Sequence, residues 1–288
     1  MENFLQLFNY QFFINASLAA VLSSIACGII GTYIVSKRIV FISGGITHAS
    51  FGGIGIGYYF GFNPILGAMI FSVLSALGIE YMTRKTNVRE DSVIAMLWSF
   101  GMAVGIIFVF LTPGYSANLM SFLFGNILTV TRLNLLLLAV LSVIIIVVFL
   151  LMYKTILFVA FDEQYARAAR LPVKFVNYMM ITLVALTIVL NIRVVGIILV
   201  ISLLTIPQTI ANIFTKKFER IILLAIVIGL IGSFSGLFLS YYFDIPSGAS
   251  IIFFLVLLFF LAKIGKNLQT FFRIRNQISE EAGKSGSL

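Results

Sequence analysis

The sequence predicts an all-α, polytopic membrane protein with about nine transmembrane helices, and three observations lead there. Hydrophobic residues fill 61% of the 288 positions and charged residues only 10%, whereas a soluble globular domain carries about 25% charged residues. Mean hydropathy is +1.12, so lipid must be the solvent for much of the surface. The apolar runs, such as 134–153 and 221–243, are continuous. That suits helices of about 20 residues and not barrel strands, in which apolar and polar residues alternate. A helix also satisfies its own backbone groups, as lipid requires.

In chain order the apolar segments are 11–35, 39–61, 65–82, 93–112, 134–153, 175–192, 194–214, 221–243 and 250–265. The first holds Cys27, the sole cysteine; alone it makes no disulfide and no thiolate cluster within the chain, and reads as a small buried hydrophobe. The second is broken by Gly44, Gly45, Gly52, Gly53, Gly55 and Gly57 and holds His48. The sixth and seventh meet at Asn191-Ile192-Arg193, which leaves room only for a tight reversal. The seventh carries Pro207. Residues 1–265 form a single transmembrane domain, and 266–288 form a tail whose polar end, Ser279 to Ser287, has the composition of a disordered segment. Met1 to Asn9 lacks a basic n-region, so no cleavable signal is expected.

The net charge of +9 is distributed as topology determinants and does not call for a nucleic-acid partner. Lys37 and Arg38 follow the first segment, Arg84, Lys85 and Arg89 the third, and Lys154, Arg167, Arg170 and Lys174 the fifth. Lys216, Lys217 and Arg220 follow the seventh, and the tail holds the rest. Only Arg132 and Arg193 fall on the other side. Lysine and arginine concentrate in cytoplasmic loops, so the N-terminus is expected outside and the C-terminus in the cytoplasm of a bacterial cell (inner or plasma) membrane.

Five features carry chemistry. First, Thr47-His48-Ala49-Ser50 lies in the glycine-rich segment. His48 is the only histidine, and about ten residues at 1.5 Å each place it about 15 Å from Lys37, near the middle of a core about 30 Å thick. An ionisable residue there marks a functional site by default, and imidazole is the commonest metal ligand; a histidine tying two helices together is the other reading. Second, the loop Phe161 to Pro172 reads as a short helix capped by Asp162. Small residues at 166, 168 and 169 suit docking, although an interfacial helix lying on lipid headgroups fits too. Third, Phe122-Leu123-Phe124-Gly125-Asn126 is an apolar outer loop. Fourth, Leu204-Thr205-Ile206-Pro207-Gln208-Thr209 combines a proline with polar groups. Proline frees a carbonyl, which suits either a pathway lining or a plain kink. Fifth, Asp244-Ile245-Pro246-Ser247-Gly248 has turn chemistry. No GxxxxGK[ST] pattern occurs, so the chain has no phosphate-cradling loop of that type.

Taken in order, these pieces resemble the permease subunits of ABC importers for divalent transition metals. The matching stretches are Thr47-His48-Ala49, Leu123-Phe124-Gly125-Asn126, Phe161-Asp162 with Ala166, Val195 to Val200 with Leu203 to Pro207, and Gly236 to Gly248; together they cover roughly residues 12–262. The resemblance implies a fold like that of type II ABC importers and a non-enzymatic chain, with ATP hydrolysis on a separate ATP-binding cassette ATPase subunit. It implies an extracytoplasmic metal-binding protein and a second permease copy as partners, beside membrane lipid. No cofactor is implied, only transported zinc or manganese, with iron next. His48 would be a transient metal ligand, with Thr47, Ser50, Thr205, Gln208 and Asn212 as pathway candidates. Phe161, Asp162, Ala166 and Arg170 would couple to the ATPase. Asn126, Arg193 and Asp244 would form the outer mouth, where Arg193 and Asp244 could pair. Related vitamin-B12 and iron-siderophore importer permeases have ten spans with both ends inside; without the first span, nine remain and the N-terminus is outside, which agrees with the charge count.

Two positions depart from the family pattern. Gly44 stands where an aspartate usually precedes the histidine by one helical turn, and Arg170 stands where a glycine is common. The rival reading is an ion-coupled secondary carrier of small solutes or metals. Such carriers use intramembrane carboxylates, whereas Glu80, Asp91 and Asp244 all lie near span ends.

Overall fold

The computed structural model describes residues 10–86, 88–113 and 130–285. Among them are eleven helices and no strands. They are α1 (Gln11–Lys37), α2 (Val40–Phe60), α3 (Pro64–Lys85), α4 (Glu90–Leu111), α5 (Arg132–Phe161), α6 (Glu163–Ala168), α7 (Val173–Val195), α8 (Ile197–Leu203), α9 (Ile206–Phe214), α10 (Phe218–Phe243) and α11 (Ser247–Ser285). Counting α8 and α9 as one broken span, the described residues hold nine helical segments long and apolar enough to cross a membrane, each matching an apolar segment of the sequence. The spans run alternately up and down, so Lys37, Arg84 and α6 share one end of the bundle, called here the basic end. Phe60, Arg193 and Asp244 lie toward the opposite end.

The most buried spans are α1, α2 and α7. Helices α4, α5 and α11 are peripheral and turn Phe110, Leu150, Leu151, Phe253 and Phe260 outward. In a soluble protein such side chains would form an adhesive patch; on a membrane protein they are the lipid face. Close approach between helices depends on glycine, as is usual inside bilayers. A Cβ on Gly101 of α4 would lie 2.5 Å from the Cα of Ala49 on α2, and one on Gly105 would lie 2.6 Å from the carbonyl oxygen of Phe51. Gly53 of α2 and Gly67 of α3 likewise face each other backbone to backbone. Helices α2, α3 and α4 are thereby stitched into one three-helix unit.

Three boundaries differ from the sequence reading. The break between the sixth and seventh spans falls at Gly196, not at Asn191-Ile192-Arg193. Gly196 has φ 84° and ψ 164°, a region essentially reserved for glycine. Asn191 lies within α7, where its side-chain NH2 donates to the carbonyl of Thr187. The fifth span runs on to Phe161 through a non-helical residue, Met152 (φ −114°, ψ 17°), so the expected end at 153 marks a kink. The last helix continues past 265 through the expected tail segment to Ser285.

Candidate functional site

The glycine-rich sequence of α2 places His48 at a helix–helix seam. On α2 the glycines at 45, 52 and 55 meet α4, and this intimacy brings His48 beside Trp98. The two rings stack, with centroids 4.3 Å apart and planes 7° from parallel. His48 is half-buried. Among the described residues its ring nitrogens have no hydrogen-bond partner, and the stack on Trp98 is its ring contact across the seam. One turn earlier, a Cβ on Gly44 would sit 3.4 Å from Cζ3 of the same indole. Trp98 therefore lies over both Gly44 and His48, and covers the position where a carboxylate would stand. The sequence reading missed Trp98; its one signal was being the only tryptophan in the chain.

Thr47 and Ser50 are fully buried on α2. Their hydroxyls donate to backbone carbonyls of their own helix, Ser43 at 2.5 Å and Thr47 at 2.6 Å. Ser50 also lines a cavity of about 180 Å³ with Ile54, Tyr58, Ala68, Val189 and Arg193. Arg193 thus stands at the opposite end of the bundle on a chamber that reaches to within two residues of His48. Asp244 caps α10 with φ 54° and forms no ion pair with Arg193, contrary to the pairing expected from sequence. Asn126 lies outside the described residues.

Gln208 belongs to a different seam from His48. Pro207 has no N–H, so the carbonyl of Leu203, four residues earlier, loses its helical donor. The side-chain NH2 of Gln208 replaces it at 3.0 Å and also donates to the carbonyl of Cys27 on α1 at 2.7 Å. The carbonyl freed by proline is therefore consumed in tying α9 to α1 and is not offered to a cargo. Thr205 is half-buried at the α8–α9 break and donates to Ile201 at 2.8 Å. Asn212 is half-buried further along α9, where Lys216 donates to its carbonyl at 2.9 Å. Among the described residues, no group of three or more His, Cys, Asp or Glu side chains is placed to hold a metal ion.

At the basic end, α6 is short but well fixed. Asp162 Oδ1 accepts from the backbone N–H of Tyr165 at 2.8 Å, and Phe161 meets Phe218 edge-on with centroids 6.0 Å apart. Ala166 is fully buried within the chain. It seats α6 on its own bundle, while Gln164, Tyr165, Arg167, Ala168 and Ala169 are exposed. Arg170 has φ 58°, a left-handed conformation that glycine adopts freely. Its backbone N–H bonds Arg167 and that of Leu171 bonds Ala166, turning the chain from α6 toward α7. The Glu163 carboxylate accepts from Arg167 at 2.6 Å and from Arg84 of α3 at 2.9 Å. Partial burial pushes its pKa up, but these two guanidiniums outweigh that and hold it at about 2.

Comparison with known proteins matches this arrangement. Residues 9–266 fit the model of the ABC 3 transport family. A "Manganese transport system membrane protein MntC" of Halalkalibacterium halodurans is 33% identical over 89% of this chain and 88% of its own length. A "Probable metal transport system membrane protein" of Chlamydia pneumoniae is 40% identical over 81% of this chain and 82% of its own. Among solved structures, PsaBC from Streptococcus pneumoniae in complex with Fab superposes with a TM-score of 0.81 at 28% identity, covering 91% of this chain and 94% of that one. With nine apolar helical segments among its described residues and the family model spanning nearly its whole length, the chain is a multi-pass membrane permease of the ABC 3 transport family.

Proposed function

We propose that the chain is the permease subunit of an ATP-driven importer for a divalent transition metal, with manganese or zinc as cargo and iron as the next candidate. The observation that carries this reading is His48, a half-buried imidazole within a membrane span whose nitrogens have no partner among the described residues. Neutral imidazole binds zinc well, and manganese accepts it alongside oxygen ligands. With Gly44 in place of a carboxylate and Trp98 over it, the site offers one nitrogen ligand and few charges. A metal held by so few ligands leaves easily, which suits passage better than storage. The names of the relatives favour manganese.

Orientation follows from charge: the basic end faces the cytoplasm and the Arg193–Asp244 end faces outward. The ATPase would be a separate subunit under α6, the metal would arrive on an extracytoplasmic binding protein, and two copies of the chain would frame the path. Membrane vesicles carrying the permease and its ATPase test this reading. ATP should drive manganese or zinc inward against a gradient, and the purified permease alone should hydrolyse no ATP. Uptake driven equally well by a proton or sodium gradient without ATP would favour a secondary carrier instead.

A further inference from the structure

Among the described residues, three of the four ion pairs are local: Glu80–Arg84, Glu163–Arg167 and Arg89–Asp91. The fourth, Arg84–Glu163, joins two helices 79 residues apart in sequence. Arg84 Nε bonds Glu80 one turn back on α3, while its Nη1 reaches Glu163 on α6. The guanidinium is thus held at both ends, with its side chain 21% exposed. It borders a cavity of about 180 Å³ lined also by Lys37, Glu80, Glu90, Glu163 and Asn177, so the pair is only partly screened by solvent.

Simple seating of α6 does not need this pair. The helix is already fixed by buried Ala166, by the Asp162 cap and by covalent continuity with α5 and α7. A second anchor for packing alone would be made more cheaply by apolar side chains. The pair adds a direct connection from α6 to α3, the one member of the stitched unit it touches through a charged contact. Helix α3 meets α2 backbone to backbone at Gly67 and Gly53, and α2 meets α4 at Ala49 and Gly101. His48 stands on α2 beside Ala49, and Trp98 stands on α4 three residues before Gly101.

We propose that Arg84 is the strut that transmits movement of α6 to the α2–α3–α4 unit, and so to the His48–Trp98 pair. It is a positioning residue, some distance from the metal itself. This inference rests on the importer reading, in which the α6 loop receives the stroke of an ATPase. Interfaces packed this closely shift as bodies and do not deform gradually.

The test uses vesicles containing the complete permease–ATPase complex and reads manganese uptake and ATP hydrolysis together. Arg84→Met and Glu163→Gln should both leave assembly and ATP hydrolysis in place. Each should lower the manganese moved per ATP by about tenfold, within the usual range of coupling between sites. The double variant should be no worse than either single one, and Arg84→Lys should recover part of the ratio. A wild-type ratio in both single variants would overturn the strut, as would an additive loss in the double variant. Should the wild-type complex show no ATP-driven uptake at all, the importer reading itself fails, which is a separate outcome.

Discussion

The imidazole of His48 lies flat on the indole of Trp98, 4.3 Å between centroids, with Gly44 beneath the same indole. The stack fixes the ring plane of a lone histidine that, among the described residues, has no hydrogen-bonding neighbour to orient it. Metal-binding histidines are usually oriented by a polar partner on the second nitrogen, and losing such support costs about 10–100-fold in affinity or activity. Replacing Trp98 by Ala should therefore reduce metal uptake by about tenfold while the permease still assembles. Replacing it by Phe, which keeps a flat face, should cost less. Uptake rates of the two variants, normalised to inserted protein, check this.

Gly44 makes a second prediction. A Cβ there is tolerated at 3.4 Å from the indole, but a carboxylate must compete with the ring for the same space. Gly44→Asp alone should change metal affinity little. Gly44→Asp combined with Trp98→Ala should create a carboxylate and an imidazole one helical turn apart and bind zinc or manganese more tightly. Titration calorimetry on the purified proteins would show tightening in the double variant only.

Gln208 should behave as a structural residue. Its NH2 is the substitute donor for the carbonyl orphaned by Pro207. Gln208→Leu leaves that buried carbonyl and that of Cys27 without a side-chain donor, at a cost of about 1–3 kcal/mol. Thermal unfolding in detergent should shift down. The preference between manganese and zinc among the molecules that remain folded should not change.

Arg170 holds a left-handed conformation that costs a non-glycine residue about 1–2 kcal/mol, a cost glycine avoids. Arg170→Gly should leave the unfolding midpoint unchanged or raise it. Arg170→Val, with a branched Cβ, should lower it. A drop in Arg170→Gly as large as in the valine variant would mean the side chain itself matters.

Acid sensitivity of the basic end follows from Glu163. Its carboxyl sits at about 2 in the folded protein against about 4.3 in an unfolded chain. A depressed folded value means the contribution to stability is complete above about pH 4.3 and is lost as pH falls toward 2. The difference in unfolding midpoint between wild type and Glu163→Gln should thus be constant from pH 5 to pH 8 and shrink below about pH 4. A difference that already falls between pH 7 and pH 5 would contradict the pairing.

Most of the fold was legible because lipid imposes a single demand on every span. Length and hydropathy alone locate each span, and glycine marks where helices touch. What was illegible involves contacts between distant elements. Asn191 and Arg193 looked like a turn because they are polar, yet the NH2 of Asn191 bonds within α7 and only the backbone angles of Gly196 reveal the break. Ala166 looked like a docking contact because it is small, but small size serves equally to seat a helix on its own bundle. Gln208 was legible as a polar group beside Pro207, but only the fold shows that its NH2 is taken by the carbonyls of Leu203 and Cys27. Trp98 has no sequence neighbour that links it to His48. The Glu80–Arg84 spacing was readable as a helical pair, whereas Glu163 joins it only through the fold.

The central claim is that His48 touches the metal as it passes. Asparagine can replace histidine in hydrogen bonding but is a poor ligand for transition metals. In vesicles carrying the complete complex, His48→Asn should lower ATP-driven uptake of manganese and zinc by about tenfold or more while ATP hydrolysis and assembly persist. Uptake by His48→Asn at the wild-type rate would contradict the account, because it would show that the imidazole serves α2 and α4 and not the metal.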